Sequence, residues 1–315
     1  MAKVLLTGGA GFIGSNFLRM FTLGNFPELS EIVVLDKLTY AGKIENISEQ
    51  LKHPKTSFFQ GDICDPELVK TASKGCDIII NMAAESHVDR SILDSDVFIR
   101  TNILGTQVLL EAAKMSDSSR FVQVSTDEVY GSIDTGSWDE MSPVKPNSPY
   151  SASKAAADLL VNAFHVTYGL DSVITRCSNN FGPQQFPEKI IPFFLKQLIT
   201  GKKVPVYGDG QQVRDWLFVE DHCQGIYTAA KFGSSGETYN IGGGVELRNK
   251  ELVDILLAKL GLDESLIEYV PDRLGHDKRY SVDWSKISKL GYSPSLEFDK
   301  QMDATIDWYL NEYKS

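Results

Sequence analysis

The stretch KVLLTGGAGFIG, residues 3–14, sets the architecture of the chain. It begins with the apolar, β-prone run KVLLT and ends in FIG, after which apolar residues recur at helical spacing through residue 24. A turn rich in glycine joins the two, and glycine allows backbone conformations and close contacts that side chains exclude. A strand, a tight glycine turn and a helix in this order are typical of the first unit of a parallel α/β sheet.

The same alternation continues through the first half of the chain. Six apolar, β-branched runs predict strands, and three longer segments with helical spacing predict helices. The predicted strands are KVLLT (3–7), EIVVLD (31–36), SFFQGDI (57–63), DIIINMAA (77–84), FVQVST (121–126) and SVITRCS (172–178), and the predicted helices cover 12–24, 96–114 and 151–169. Because parallel strands need crossover helices, the sequence predicts an α/β fold with a doubly wound parallel sheet of the Rossmann type.

The pattern changes near residue 180. Gly and Pro become more frequent, and the short strand candidates VPVYG, RDWLFVED and ETYNIG are followed by helical segments such as NKELVDILLAKLG. We therefore expect a Rossmann domain over residues 1–179, to which segments near 215–245 return. Residues 180–315 are expected to form mainly a smaller C-terminal lobe.

Composition argues against several classes of protein. The formal net charge of -11 argues against nucleic acid and anionic membranes as partners. No run approaches the roughly 20 apolar residues of a membrane span, and the N-terminus lacks the pattern of a secretory leader. The 4 cysteines form no C-x-x-C pair and the 5 histidines show no metal-ligand spacing. We expect a cytoplasmic protein with reduced thiols and no metal site.

The glycines of the turn fit two dinucleotide-binding patterns. Gly9, Gly11 and Gly14 fit G-x-G-x-x-G, whereas Gly8, Gly11 and Gly14 fit G-x-x-G-x-x-G. Such a turn lets the backbone approach a pyrophosphate, and the helix N-terminus supplies N–H donors to it. An ordinary glycine-rich turn is the alternative, but the position between a strand and a helix favours dinucleotide binding.

Two aspartates follow the next predicted strands. Asp36 ends the second strand, where a carboxylate can accept hydrogen bonds from the adenosine ribose. The same carboxylate would repel a 2′-phosphate, which favours NAD over NADP. Asp62, after the third strand, is a similar candidate for the adenine end. Each aspartate could instead cap a turn.

Tyr150 and Lys154 are spaced i, i+4 and share one face of a predicted helix. An ammonium beside a phenol favours the phenolate and lowers a pKa that is ordinarily about 10. A cationic, oxidised nicotinamide would act in the same direction. The pair therefore predicts a general base next to a dinucleotide, with two ordinary surface residues as the alternative.

Thr126, Asp127 and Glu128 end the predicted strand FVQVST. Open α/β sheets bind ligands at the carboxyl ends of their strands, so these side chains are expected in a binding cleft. Two carboxylates in different environments can hold opposite protonation states, so that one acts as an acid and the other as a base.

Together these motifs resemble the extended short-chain dehydrogenase/reductase superfamily, and within it the nucleoside-diphosphate-glucose 4,6-dehydratases. The resemblance extends over nearly the whole chain. The segments that carry it are GGAGFIG, DKLTYAG (36–42), NMAAESHVDRS (81–91), STDEVYG (125–131), PYSASK (149–154), TRCSNNFGP (175–183), QFPEKIIP (185–192), YGDGQQVRDWLFVEDH (207–222), YNIGGG (239–244) and DRLGHDKRY (272–280).

The resemblance implies a lyase that converts a nucleotide-activated glucose into its 4-keto-6-deoxy product. C4 would be oxidised, water would be eliminated across C5 and C6, and hydride would return to C6 through bound NAD. In these steps Tyr150 would accept the O4 proton, Thr126 would hydrogen-bond O4, and Lys154 would orient the nicotinamide ribose. Glu128 would be the C5 base and Asp127 the C6 acid.

The resemblance also implies two sets of binding residues. Around NAD it places Gly8, Gly11, Phe12, Ile13, Gly14, Asp36, Lys37, Leu38, Thr39, Asp62, Ile63, Ala83, Ala84, Thr101, Tyr150, Lys154 and Asn180. Around the nucleotide-sugar it places Ser86, Thr126, Asn179, Glu188, Lys189, Pro205, Val206, Tyr207, Arg214, Asn249, Asp272, Arg273, His276 and Asp277. Arg214 and Arg273 suit a diphosphate through their forked donors, although either could form a structural ion pair. His87 is expected to pack rather than react.

The resemblance further implies a homodimer in which each subunit contributes two helices. Residues 96–114 and 151–169 are the candidates, because both segments are long and rich in apolar and small residues. The substrate is expected to be dTDP-glucose, with UDP-glucose as the alternative that the sequence leaves open.

Two other functions are weighed against this one. A nucleotide-sugar 4-epimerase or decarboxylase would share the glycine turn, Tyr150 and Lys154, but epimerisation needs neither a C5 base nor a C6 acid. A catalytically silent NAD-binding regulator or scaffold would have little reason to keep the two carboxylates beside these groups.

Overall fold

The computed structural model describes residues 1–116, 120–272 and 277–314. Within these ranges the chain forms twelve strands. They are β1 (Ala2–Thr7), β2 (Leu29–Asp36), β3 (Thr56–Gln60), β4 (Ile78–Asn81), β5 (Arg120–Thr126), β6 (Ser172–Cys177), β7 (Asn179–Phe181), β8 (Val204–Tyr207), β9 (Val213–Phe218), β10 (Thr238–Ile241), β11 (Glu246–Arg248) and β12 (Ile267–Val270).

Eleven α-helices lie between and after these strands in the same ranges. They are α1 (Phe12–Thr22), α2 (Pro66–Ala72), α3 (Val88–Leu93), α4 (Asp96–Phe98), α5 (Thr106–Met115), α6 (Pro149–Tyr168), α7 (Ile190–Ile199), α8 (Val219–Phe232), α9 (Asn249–Leu260), α10 (Ser285–Ser288) and α11 (Phe298–Lys314). A π-helical segment, Ile99–Gly105, connects α4 to α5, and short 3-10 turns include Asp127–Tyr130 after β5.

Seven strands form one sheet in the order β10-β6-β5-β4-β1-β2-β3. Every pairing in it is parallel. The order runs outward in both directions from β1 and β4, so the carboxyl ends of these two strands flank the point where the winding reverses. The predicted doubly wound parallel sheet is confirmed.

Apolar side chains cover both faces of this sheet, as a parallel sheet flanked by helices requires. Alternation along β1 sends Val4 and Leu6 to one face and Leu5 to the other. The first face packs against α1 and α8, and the second against α2, α5 and α6. A third cluster of buried apolar residues lies among α7, α9 and α11.

Two small sheets lie beyond residue 178. Strands β11, β9 and β7 form one of them, with β11 antiparallel and β7 parallel to β9, and β12 pairs with β8 in parallel. The segment at Thr238–Ile241 instead pairs with β6 in the large sheet. The division into a domain over 1–179 and a smaller lobe over 180–315 stays a prediction.

Helix α6 carries Tyr150 and Lys154, and its start is well defined. Ser148 is the N-cap, its Oγ accepts from the Ser151 N–H at 3.1 Å, and Pro149 occupies the first turn. The helix ends at Gly169, whose φ of 70° is left-handed. These caps place Tyr150 at the start of the helix, next to the end of β5.

Several predicted boundaries are wrong. The strand expected over 57–63 ends at Gln60, and the one expected over 77–84 ends at Asn81. The run RDWLFVED is a strand only to Phe218, since Val219 begins α8 and its acidic residues fall in the first helical turn, where the helix dipole favours them. The helix expected over 96–114 is interrupted by the π-helical segment. No helix in the described part of the chain is long and apolar enough to cross a membrane.

Candidate active site

The glycine turn between β1 and α1 adopts one of its two predicted patterns. Gly8 has a φ of +69°, and a Cβ at Gly14 would lie 2.3 Å from the Gly8 carbonyl oxygen. Gly8, Gly11 and Gly14 line a cleft, whereas Gly9 packs against Val34, where a Cβ would lie 2.6 Å from Cγ1. The cradle is therefore built on G-x-x-G-x-x-G, with Gly11 as the N-cap of α1.

Two adjoining clefts hold the residues predicted to surround the cofactor. The first, which we call the adenosine cleft, extends from the glycine turn to Asp36, Asp62 and Thr101. The second, which we call the catalytic cleft, extends from the same glycines to Tyr150, Lys154 and Asn180. Leu38 is the exception among the predicted residues, since it packs against the core and lines neither cleft. Its backbone N–H donates to Asp36 Oδ1 at 2.8 Å.

Asp36 is buried at the edge of the adenosine cleft. Its Oδ2 accepts from the Ala10 N–H at 2.9 Å, and its Oδ1 accepts from the Leu38 N–H. Burial raises the pKa of this carboxyl, while the two N–H donors act to lower it. Each carboxylate oxygen can accept a further hydrogen bond, so Asp36 retains capacity for ribose hydroxyls. Across the cleft, Lys37 Nζ pairs with Asp62 Oδ2 at 2.8 Å.

The five predicted catalytic residues all line the catalytic cleft. Thr126, Asp127 and Glu128 come from the end of β5, and Tyr150 and Lys154 from the first turns of α6. The Thr126 hydroxyl accepts from the Glu128 N–H at 3.2 Å and lies 3.3 Å from Asp127 Oδ1. The strand and the helix thus bring together groups that the sequence separates by more than twenty positions.

The two adjacent carboxylates differ in environment. Asp127 is buried, and its Oδ2 has no hydrogen-bond partner in the described structure. Burial raises the pKa of Asp127 well above its ordinary value, and the charges of Glu128 and Asp215 raise it further. Glu128 is half-buried and lines both the catalytic cleft and the neighbouring one. The raised pKa favours the protonated form of Asp127, which suits this carboxyl to donate a proton.

Tyr150 departs from the expectation based on its sequence spacing. Burial raises the pKa of its phenol well above the ordinary value, the charge of Glu128 adds to this, and the Thr126 side chain only partly opposes it. The expected lowering of the Tyr150 pKa is therefore wrong for the protein alone, because desolvation and nearby negative charge raise it. Lys154 is itself buried, and its Nζ donates to the Val124 carbonyl oxygen at 2.7 Å.

A third cleft, which we call the outer cleft, opens beside the catalytic one and shares Glu128 with it. Most of the predicted nucleotide-sugar residues line it. They are Asn179, Glu188, Lys189, Pro205, Val206, Tyr207, Arg214 and Asn249. Ser86 lines the catalytic cleft instead, and Lys189 Nζ donates to its carbonyl oxygen at 2.8 Å.

Arg214 is buried at the base of the outer cleft. Its guanidinium donates to the carbonyl oxygens of Val213 at 2.7 Å and Asp277 at 2.9 Å, and lies 4.5 Å from the centre of the Tyr280 ring. Backbone carbonyl oxygens, including a longer contact at 3.5 Å to Lys278, and one aromatic ring therefore hold the guanidinium in a fixed orientation beside the cleft.

Two further predicted residues lie outside the lining of these three clefts. Asp272 accepts from Gln212 Nε2 at 3.1 Å, and the Asp277 carboxylate accepts from Asn147 Nδ2 at 2.7 Å. Arg273 and His276 fall outside the described residues. His87 lines the outer cleft and caps α3, where its Nδ1 accepts from the Arg90 N–H at 3.4 Å.

Several residues that line the clefts are not predicted from the sequence. In the outer cleft, Phe193, Phe194 and Trp216 form an apolar wall. In the catalytic cleft, Ser125 and Gln185 contribute buried oxygen atoms that have no hydrogen-bond partner among the described residues, and Ser178 also lines this cleft. All of these except Phe193 and Phe194 fall inside the segments on which the resemblance is based. The sequence therefore draws attention to these segments, but it does not show which of their residues line a cleft.

The adenosine and catalytic clefts fit a dinucleotide. The glycine cradle has room for phosphates only because Cβ atoms are absent from it, and Asp36 offers acceptors at the ribose end. The buried Oδ1 of Asn180 has no hydrogen-bond partner in the described structure, and Asn180 lines the catalytic cleft. Among the described residues, no group of three or more His, Cys, Asp or Glu side chains is placed to hold a metal ion.

Comparison with known proteins agrees with this geometry. The family model for GDP-mannose 4,6 dehydratase matches residues 5–305. A dTDP-glucose 4,6-dehydratase from Actinoplanes sp. is 52% identical over 311 residues, which cover 98% of this chain and 97% of the relative.

Solved structures extend the comparison to the fold. DesIV, a dTDP-glucose 4,6-dehydratase from Streptomyces venezuelae solved with NAD and TYD bound, superposes with a TM-score of 0.97 at 51% identity, and the match covers 99% of this chain and 98% of DesIV. A UDP-glucose 4-epimerase from Thermus thermophilus, solved as a complex with NAD, gives a TM-score of 0.88 at 30% identity, covering 98% and 99%. The predicted resemblance is confirmed: the chain belongs to the GDP-mannose 4,6 dehydratase family, among the nucleotide-sugar 4,6-dehydratases of the extended short-chain dehydrogenase/reductase superfamily.

Proposed function

We propose that this protein is a dTDP-glucose 4,6-dehydratase, a lyase that converts dTDP-glucose into dTDP-4-keto-6-deoxyglucose and water without an external reductant. The observation that carries the proposal is the position of Asp127 and Glu128 in the same cleft as Tyr150 and Lys154. Elimination groups and oxidation groups then act on one bound sugar. Relatives named for this activity match the chain over nearly its full length.

NAD, when bound in the adenosine and catalytic clefts, supplies the acceptor and donor of the hydride that moves from C4 to C6. The glycine cradle would bind its pyrophosphate, and Asp36 its adenosine ribose. Lys154, whose ammonium is fixed on the Val124 carbonyl oxygen, would bind the nicotinamide ribose. Tyr150, in its phenolate form, would take the O4 proton, and the Thr126 hydroxyl would hold O4 in place.

The two carboxylates divide the elimination. Asp127, whose raised pKa keeps it protonated, would donate to the departing C6 hydroxyl. Glu128, the more exposed of the two, would remove the C5 proton that the C4 ketone has acidified. An exchange of roles would require the buried carboxyl to ionise first, against both desolvation and the neighbouring charge of Glu128.

The outer cleft would bind the nucleotide part of the substrate. Arg214, oriented by backbone carbonyls, would bind the diphosphate, and Asn249 and Tyr207 line the same cleft. Residues 1–179, with segments near 215–245, would then form the NAD-binding domain, and 180–315 mainly the nucleotide-sugar lobe. Thymine and uracil differ by one methyl group, so UDP-glucose is the alternative substrate. Comparing turnover of dTDP-glucose with that of UDP-glucose separates the two.

A deuterium label tests the reaction itself. With dTDP-glucose deuterated at C4, the label should appear at C6 of the product, and C5 should take deuterium only in heavy water. Mass spectrometry and proton NMR of the product locate each label. An epimerase would return the label to C4, and loss of the C4 label to solvent would contradict internal return of hydride.

The protein is further proposed to form a homodimer through the helices near residues 96–114 and 151–169. Large apolar side chains on these segments stay exposed in the single chain, among them Ile99 at 52%, Leu159 at 63% and Val166 at 82%. We expect light scattering to give the mass of a dimer, and Leu159→Glu to shift it toward a monomer. Leu23→Glu, at a similarly exposed position just after α1, is the matched control and should stay dimeric. A monomeric wild type at micromolar concentration would refute the dimer.

The cytoplasm is the proposed location. All four cysteines are free thiols, and three of them are buried, which suits a reducing compartment. Fractionation of the native cells tests this location. Finding the protein in a membrane or secreted fraction would contradict it.

A further inference from the structure

A buried ion pair lies behind the proposed catalytic lysine and has no part in the proposed steps. Asp158 follows Lys154 by four residues on α6, as Lys154 follows Tyr150, so the three side chains share one face of the helix. Asp158 Oδ2 accepts from Arg176 Nε at 2.9 Å, and the two side chains are 1% and 5% exposed. Because a buried ion pair adds little net stability, its position beside the site points to another purpose.

Arg176 is held in a fixed position on β6. Its guanidinium carbon lies 4.7 Å from the centre of the Tyr130 ring, and the Tyr130 hydroxyl donates to Asn240 Oδ1 at 2.9 Å. The other carboxylate oxygen of Asp158, Oδ1, is buried and has no hydrogen-bond partner in the described structure. One oxygen of Asp158 is therefore anchored by Arg176, and the other accepts no hydrogen bond from the described residues.

Lys154 experiences the charge of Asp158 while buried. Burial lowers the pKa of its ammonium, and Asp158 is the first of the groups that oppose this by raising it, followed by Cys177. Burial raises the pKa of the Cys177 thiol to about 12, so that group carries no charge at neutral pH.

The remaining ionisable groups around Lys154 do not replace Asp158. Tyr150 precedes it on the same helix, and Asp127 and Glu128 line the cleft from the turn after β5. The raised pKa of Tyr150 keeps its phenol neutral at neutral pH, and the raised pKa of Asp127 favours its neutral form. Glu128 faces the substrate side, where its proposed role makes it gain a proton during the reaction.

We propose that Asp158 is a positioning residue whose carboxylate, anchored by Arg176, keeps the Lys154 ammonium protonated and directed at the Val124 carbonyl and the cofactor ribose. This inference rests on the proposed function, because the charge at Lys154 matters when Lys154 binds the nicotinamide ribose beside Tyr150. Asp158 is not among the residues that line the three clefts, so it would act through Lys154.

Asp158→Asn tests the inference, since it keeps the shape of the side chain and removes the charge. Without the carboxylate, the pKa of Lys154 falls further, so the ammonium loses its proton at a lower pH. We expect the alkaline limb of turnover to move about one pH unit lower, and NAD to bind about tenfold more weakly at the pH where wild-type binding begins to decline. Isothermal titration calorimetry of the protein with NAD alone, across pH, measures the second effect without any turnover.

Three further variants keep the test decisive. If Asp158→Asn fails to fold because Arg176 is left as an unpaired buried charge, Asp158→Asn combined with Arg176→Gln removes both charges and should shift the profiles in the same direction by less. Asp158→Glu keeps the charge and should restore the wild-type profiles. Asp254→Asn removes the carboxylate of an exposed i, i+4 pair with Lys250 on α9 and should change neither profile.

The two readouts separate this inference from the proposed function. Wild-type pH profiles in both the single and the double variant would overturn the role of Asp158, and so would an equal shift in Asp254→Asn. A wild type that does not turn over dTDP-glucose would overturn the proposed function, while the pH dependence of NAD binding would still decide whether Asp158 acts on Lys154.

Discussion

Tyr150→Phe should reduce turnover of dTDP-glucose by about 10²- to 10⁴-fold, the range that a positioned general base contributes. The substitution removes one oxygen atom from a buried ring that also packs edge-on against Phe98, so the packing of the site is kept. Because the O4 proton has no acceptor, no C4 ketone forms. The C5 proton then stays unacidified, and heavy water should introduce no deuterium at C5.

The matched control lies on the same helix. Tyr168→Phe removes a hydroxyl from the exposed, opposite end of α6 and should leave turnover unchanged. Mass spectrometry of quenched reaction mixtures detects both the 4-keto-6-deoxy product and any 4-keto intermediate that keeps its C6 hydroxyl. Turnover of Tyr150→Phe within a few-fold of wild type would remove Tyr150 from the oxidation step.

The raised pKa of Tyr150 adds a requirement to this step. A phenol that is buried and faces Glu128 keeps its proton in the protein alone. Positive charge near the ring is therefore needed before Tyr150 can accept the O4 proton. We expect a bound, cationic nicotinamide and the Lys154 ammonium to supply this charge, so that the protonation of Lys154, and through it Asp158, would affect the step.

The large sheet could be predicted from sequence because its strands are short, apolar runs that are separated by helical patterns. KVLLT and FVQVST match β1 and β5 to within one residue. Boundaries were predicted less well where a glycine follows the strand, as after Gln60, or where a strand leads directly into a helix, as at Val219. In such places the tertiary contacts, and not local pattern, end the element.

The sequence also allowed us to predict which catalytic residues line the catalytic cleft, but not the pKa values of their side chains. The rule that ligands bind at strand carboxyl ends, together with the i, i+4 spacing on a helix, predicts that Asp127, Tyr150 and Lys154 meet. The pKa of Asp127 depends partly on Asp215, which lies far along the chain on β9. The pKa of Tyr150 depends on desolvation by the assembled fold. No local pattern reports either contribution.

The pairing of Asp158 with Arg176 shows the same limit. The two residues belong to a helix and a strand that are adjacent in sequence, yet their ion pair depends on how α6 packs on β6. In the sequence, nothing distinguishes either residue from the other charged residues of its segment. Their burial distinguishes them.

Glu128→Gln should reduce turnover by a similar factor, about 10²- to 10⁴-fold, but at a later step. The substitution preserves the size of the side chain and removes the base, so oxidation at C4 can proceed while the C5 proton stays in place. A 4-keto hexose that keeps its C6 hydroxyl should therefore accumulate on the enzyme. Mass spectrometry of quenched single turnovers detects it, and Glu49→Gln, at an exposed surface pair with Lys52, serves as the matched control.

Comparison of the two variants separates the two halves of the proposed mechanism. Both lose turnover, yet only Glu128→Gln should retain the ketone, and neither should exchange C5 hydrogen with heavy water. Continued C5 exchange in Glu128→Gln would assign the base to another group, for which the neighbouring Asp127 is the first candidate. Burial and the adjacent charge hold the Asp127 carboxyl protonated, so once the substitution removes the charge of Glu128, part of that restraint is lost. Asp127→Asn in the same background then decides between them: exchange that disappears assigns the base to Asp127, and exchange that persists places the base outside the pair.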